Sequence, residues 1–215
     1  MLHSFTMSSH VRLGDLTIRN RGRLPHWEAE GSTYLVNFRL EDSLPKSVLD
    51  QFEFERKGII ATAEKQRREL SRTEQKRVEE LFSERVDAYL DAGSGACHLA
   101  KLPIAAAVAE ALTFFDGERY RLFAWCVMPN HVHVVLRPLG GFALAGILHS
   151  WKSFTAKKAN EALGIAGRFW QPEYYDHLIR NEEEFLHALE YVARNPEKAG
   201  LRGWKWVWAR PRKEA

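Results

Sequence analysis

Residues 128–136 read MPNHVHVVL, and the spacing of the two histidines inside this run decides how the chain is built. A stretch this rich in β-branched residues is predicted to be a strand. Side chains two apart in a strand share a face, so His131 and His133 project together while Val132, Val134 and Leu136 fill the other side. Two neutral imidazoles held side by side are half of a metal site. They also suit the solvated face of a sheet, so the pair alone leaves both readings open.

Working outward, residues 118–128 (ERYRLFAWCVM) have the aromatic and β-branched content of a strand buried on both faces. The short Pro129-Asn130 connection predicts an antiparallel pair, with the histidine strand inside the sheet. Upstream, TYLVNFRL over 33–40 alternates as a first strand. Downstream, Leu144, Ile147, Leu148, Trp151 and Phe154 mark a helix, Tyr175 to Ile179 an extended piece, and Asn181 with Glu184 the capped start of a last helix running to about Asn195. Pro103 opens another helix that stops at Asp116-Gly117. Residues 46–92 read as mostly helical, with a capping-box pattern at Ser71 and Glu74 and an apolar stripe at Val78, Leu81, Phe82, Val86, Tyr89 and Leu90. The fold class expected is α+β, a central antiparallel sheet with packed helices. The division expected is a basic, irregular arm over 1–30, a main domain over 31–200 with a helical insertion at about 46–92, and a basic, tryptophan-rich tail over 201–215.

The 215 residues, 45% hydrophobic and 27% charged, are an ordinary globular composition. No apolar stretch reaches a membrane span and no secretion signal is visible, so a cytoplasmic protein is expected. Cys97 and Cys126 cannot staple a chain of this size. The net charge is only +3, but Arg12, Arg19, Arg21 and Arg23 crowd the N-terminus, Lys152, Lys157 and Lys158 share one segment, and Arg202, Lys205, Arg210, Arg212 and Lys213 load the C-terminus. Such clusters attract phosphates or are simply solvated.

On the last helix, NEEEFLHALEYVARNP, Phe185, Leu189 and Val192 form the core stripe. Tyr191 and Asn195, four apart, lie one above the other at its edge. If this helix crosses the histidine strand, two imidazoles, an amide and a phenol surround one point. The alternative for Tyr191 is a boundary tyrosine with a buried ring and a wet hydroxyl.

MPNHVHVVL, WKSFTAKKAN at 151–160, GRFWQPEYYDHLIRN at 167–181 and EYVARNPEKAGL at 190–201, in this order, resemble the REP-associated tyrosine transposases, a branch of the single-tyrosine HUH transposases. NRGRLPHWE and TYLVNFRLEDSLP resemble the opening of those proteins, and the likeness is weakest over 50–92. The resemblance implies an HUH endonuclease architecture (ferredoxin-like or RRM-like), with His131 and His133 as the HUH pair, Asn195 as the third metal ligand and Tyr191 as the nucleophile. It implies Mg²⁺ or Mn²⁺ as cofactor and cleavage of single-stranded, hairpin-forming repeat DNA through a 5′-phosphotyrosine, followed by strand transfer. A monomer, with its site assembled in one chain, goes with the REP-associated branch. Arg19, Arg21, Arg23, Lys152, Lys157, Lys158, Arg180 and Arg202 are the DNA contacts expected. Two alternatives are a non-catalytic nucleic-acid binder of the same fold and a metal-dependent hydrolase with water as nucleophile.

Overall fold

In the computed structural model the strands Tyr120–Val127 (β4) and His131–Pro138 (β5) form a hairpin around Pro129 and Asn130. The structure describes residues 31–71, 73–74, 77–78 and 84–211, with the backbone alone for 17–20 and 25–28. The remaining strands are Thr17–Asn20 (β1), Pro25–Glu28 (β2), Thr33–Arg39 (β3), Tyr175–Ile179 (β6) and Val207–Ala209 (β7). Five of them make one antiparallel sheet in the order β6-β3-β5-β4-β7, so the histidine strand is its centre. The α+β architecture with a central antiparallel sheet is as the sequence predicts.

A β-bulge interrupts β4: the pairing with β5 steps between Leu122 and Ala124, leaving Phe123 as the extra residue. Tyr120 and Leu122 therefore face one side, whereas Ala124 and Cys126 face the other with Phe123. On the first side the sheet is covered by helices Leu102–Phe114 (α3) and Leu144–Leu163 (α4). Val132, Val134 and Leu136 meet Val108, Leu112, Ile147, Leu148 and Trp151 there, all buried. Trp170, from the Trp-Gln-Pro block, packs edge-on to Phe38 and donates its indole N–H to Thr155 Oγ1 at 2.9 Å.

The other side is covered by Glu182–Lys198 (α5) through Phe185, Ala188 and Val192. Asn181 starts this helix, its Oδ1 accepting the Glu184 N–H at 2.8 Å. Glu182, Glu183 and Glu184 in the first turn complement the helix dipole. The helix continues through Pro196 to Lys198, three residues beyond the expected end.

Helices Lys46–Lys65 (α1) and Glu84–Asp91 (α2) belong to the segment expected as an insertion. They share a small core of Leu44, Val48, Phe52, Val86 and Leu90. Of the predicted apolar stripe, Val86 and Leu90 are buried, Tyr89 is exposed, and Leu81 and Phe82 lie outside the described residues.

One expectation needs correction, and the C-terminal tryptophans have a place of their own. The arm read as irregular contains the antiparallel hairpin β1–β2, because TIRN and PHWE are long enough to pair across the connection between them. The C-terminal stretch is part of the sheet: β7 pairs with β4, Trp206 and Trp208 pack against the core, and Trp204 donates to the Val127 carbonyl at 2.8 Å.

Candidate active site

His131 and His133 leave β5 on the side covered by α5, and both are fully buried. Their Nε2 atoms lie 2.8 Å apart with the rings nearly perpendicular. With a proton on one of them this contact is a hydrogen bond, and with lone pairs on both, two donors face one point. Asn130, also fully buried, sets the other end of His131, since its Oδ1 is 2.7 Å from His131 Nδ1. The orientation of that amide is fixed by its Nδ2, which donates to the carbonyls of Leu90 at 3.1 Å and Ser94 at 2.8 Å. With Oδ1 an obligate acceptor, His131 carries its proton on Nδ1 and turns a lone pair inward. The loop that presents Ser94 passes close to the first strand's end: Gly95 has φ +87°, and a Cβ there would sit 2.6 Å from the Asp42 carbonyl oxygen.

Burial holds both imidazoles below their ordinary value, His131 far below, with neighbouring His133 adding to the effect, and His133 at about 4. They are neutral, the form in which imidazole donates to a metal. Among the described residues no three His, Cys, Asp or Glu side chains form a metal-binding group. Asn195 supplies an amide on the same side of the sheet. It is buried and acts on the Tyr191 hydroxyl, and neither its Oδ1 nor its Nδ2 completes a hydrogen bond of good geometry. The expectation that Asn195 lies at the edge of the helix stripe is thus corrected: α5 turns it into the interior, where a poorly paired amide is costly.

Tyr191, one turn before Asn195, is half-buried, with its ring edge-on to that of His133 at 5.3 Å between centroids. Its hydroxyl donates to Asp87 Oδ2 at 2.6 Å, and Asp87 Oδ1 accepts from Asn37 Nδ2 at 2.8 Å. Asn37 is the cross-strand partner of His133 on β3, as Cys126 is on β4. Burial, reinforced by the Asp87 carboxylate, pushes the tyrosine hydroxyl well above its ordinary value. Burial raises Asp87 and Asp91 too. A groove of about 500 Å³ runs along the outer side of α5 past Tyr191, lined by His187, Arg194 and Lys198. The Lys198 ammonium lies 5.9 Å from the tyrosine ring centre.

The structure thus gathers His131, His133, Tyr191 and Asn195 on one side of the sheet. It also adds Asn37, Asp87, Asn130 and Lys198, which sequence reasoning missed. The expected DNA contacts are dispersed. Lys157 and Lys158 are exposed on α4, Arg180 follows β6, and Arg202 sits in the turn after α5. Lys152 is different: its ammonium donates to the carbonyls of Gln171 at 2.5 Å and Pro172 at 2.8 Å, and burial lowers it to about 8. It secures the Trp-Gln-Pro block to α4. Arg19 lies in β1, and Arg21 and Arg23 lie outside the described residues.

Residues 108–195 match the family model described as "Transposase IS200 like". That span begins in α3 and ends on Asn195, so it holds both histidines and the tyrosine helix. Over that segment the chain is similar to the IS200-like transposases. It is 30% identical over 82 residues to the REP-associated tyrosine transposase of Escherichia coli K12, covering 38% of this chain and 47% of that one. It is 26% identical to an uncharacterized protein of Haemophilus influenzae, covering 35% of this chain and 54% of that one. The chain spans about half the length of these curated relatives. Among solved structures, it is similar to a REP-associated tyrosine transposase bound to a REP hairpin, with 16% identity, 86% of this chain and 81% of that chain covered, and a TM-score of 0.49. The resemblance to REP-associated tyrosine transposases carried by the motifs is borne out. No helix among the described residues is long and apolar enough to cross a membrane.

Proposed function

We propose that this chain is a metal-dependent endonuclease and strand transferase for single-stranded DNA, acting at hairpin-forming repeats, with Tyr191 as nucleophile. The observation that carries this reading is the meeting of β5 and α5 on one side of the sheet. Imidazole nitrogens 2.8 Å apart on β5 stand beside the ring of Tyr191, and α5 buries the Asn195 amide one turn beyond that tyrosine. A structural tyrosine would not need that company.

The donor set fits a divalent cation. Both histidines are neutral, Asn130 fixes the tautomer of His131, and the poorly paired Asn195 amide gains a full partner if its oxygen becomes a ligand. Two imidazoles and one amide oxygen, with positions left for water and phosphate, suit Mg²⁺ or Mn²⁺. Such an ion, when bound, draws charge from the non-bridging oxygens of a phosphodiester. The protein's own part is to hold the strand, aim the Tyr191 oxygen at phosphorus and release a 3′-hydroxyl. The phosphotyrosyl bond conserves the energy of the broken link, so another 3′-hydroxyl can reclaim the strand. Lys157, Lys158, Arg180, Arg194, Lys198 and Arg202 are the basic side chains available to backbone phosphates. A cytoplasmic monomer is the form proposed.

The test is a denaturing gel of the full chain with Mn²⁺ and 3′-labelled single-stranded oligonucleotides carrying a stem-loop and randomised flanks. A covalent protein–DNA band is expected from the wild type and none from Tyr191→Phe, with hairpin binding retained. Cleavage without any covalent band would refute the tyrosine mechanism.

A further inference from the structure

Attack by a tyrosine requires that its proton go somewhere, and a carboxylate oxygen lies 2.6 Å from the Tyr191 hydroxyl. A base in contact with the hydroxyl is then needed at the moment of attack. Resting on the function proposed above, we infer that Asp87, carried by helix α2 outside the matched segment, is the general base and acid that takes the Tyr191 proton and later returns it.

The geometry favours transfer in one direction. Asp87 Oδ2 accepts the Tyr191 hydroxyl at 2.6 Å, within the range expected of a catalytic base and its proton. Its other oxygen is committed to Asn37 Nδ2 at 2.8 Å, so the carboxylate cannot rotate away without losing a bond. Asn37 stands beside His133 in the sheet, which ties the carboxylate to the same row as the imidazole. From below, α2 is anchored by Val86 and Leu90, and the Leu90 carbonyl holds the Asn130 amide that orients His131. One short helix thus supports both the tyrosine and the histidine ends of the site.

In the forward step the Tyr191 Oη–P bond forms and the P–O3′ bond breaks. The phenolic proton passes to Asp87 Oδ2, and the departing 3′-oxygen takes a proton from solvent. In strand transfer a 3′-hydroxyl attacks the phosphotyrosine and gives its proton to solvent. The Tyr191–P bond then breaks, and the carboxylic acid of Asp87 returns its proton to the tyrosine oxygen. The charged and titratable groups facing Asp87 are Tyr191 and Lys198 from α5 and Asp91 from its own helix, with His133 of β5 facing Asp91. Burial raises Asp87, whereas the Tyr191 hydrogen bond, Lys198 and Asn37 favour its anion.

The experiment measures single-turnover adduct formation from pH 5 to 9 on the stem-loop oligonucleotides, using full-length wild type, Asp87→Asn, Asp87→Glu and Tyr191→Phe. A general base is worth about 10²- to 10⁴-fold. Asp87→Asn is expected to lose that much at pH 7 while binding the hairpin as the wild type does. Its rate then climbs about tenfold per pH unit as hydroxide substitutes for the lost base, and Asp87→Glu recovers to within about tenfold of the wild type. A wild-type rate in Asp87→Asn overturns the proposal. A faster rate does so too, because it would make Asp87 a restraint on the tyrosine. If Asp87→Asn does not fold, Asp87→Glu decides: recovery supports the proposal, and the Tyr191→Phe background refutes it. Absence of an adduct from the wild type would remove the function and this inference together, whereas a wild-type adduct indifferent to residue 87 removes this inference alone.

Discussion

Asn130 and His131 are neighbours in sequence, and the amide of the first is the only described side chain bonded to the Nδ1 edge of the second, at 2.7 Å. The same amide spans to the Leu90 and Ser94 carbonyls. Asn130→Asp keeps an acceptor for His131 but removes both donations. We expect a stability loss of roughly 1–3 kcal/mol and a fall in Mn²⁺ affinity of about 10- to 100-fold. Urea unfolding and calorimetric titration measure the two, and an unchanged Mn²⁺ affinity would show that the tautomer is set elsewhere.

Asn195 offers a sharper separation of stability from function. Its buried amide completes no hydrogen bond of good geometry, so Asn195→Leu removes a poorly satisfied polar group at similar volume. The metal-free variant is expected to be as stable as the wild type or more stable, by up to about 2 kcal/mol, yet to lose most of the thermal stabilisation that Mn²⁺ confers by mass action. Loss of stability without loss of the Mn²⁺ shift would count against Asn195 as a ligand.

The imidazole pair gives the protein a defined response to acid. Both folded-state values lie below the ~6.5 of an exposed histidine, His133 at about 4. Between those limits the unfolded chain binds protons that the folded chain refuses. Stability is therefore full above about pH 6.5 and falls as pH drops toward 4, by on the order of 3 kcal/mol for His133 alone. Asp87 and Asp91, raised by burial, work in the opposite sense and offset part of this loss. Urea midpoints should decline over that window in the wild type and decline less in His133→Gln.

The small core under α2 is expected to govern catalysis from a distance. Phe52 is buried against Leu90 and Val86. Phe52→Ala should cost about 3–5 kcal/mol within this cluster and loosen the helix that carries Asp87. Adduct formation should slow by at least tenfold while hairpin affinity stays within about threefold; equal losses in both would point to general unfolding.

Much of this architecture was legible because it follows from short-range rules. The two-residue period put His131 and His133 on one face, the brief Pro129-Asn130 connection fixed the antiparallel pair, and Asn181 with Glu184 marked the start of the tyrosine helix. What stayed hidden depended on long-range register. Asp87 is separated from Tyr191 by 104 residues and from Asn37 by 50, and no local pattern relates them. Asn130 looked like an ordinary turn residue, since its turn chemistry is the same whether the side chain meets water or two carbonyls. Asn195 was placed too shallow, because helical spacing gives an angle around the axis and not a depth.

The extra residue in β4 has a consequence for how this lineage can vary. Phe123 is the hinge at which the strand's alternation resets, so that Cys126 stands beside His133 while Trp125 and Val127 point into the opposite layer. Loss of that single codon would force one half of the strand to turn over, and the row beside His133 would then receive an indole or an isopropyl group where a thiol now fits. Length changes between Tyr120 and Val127 should consequently be far rarer among descendants of this gene than changes of residue type there.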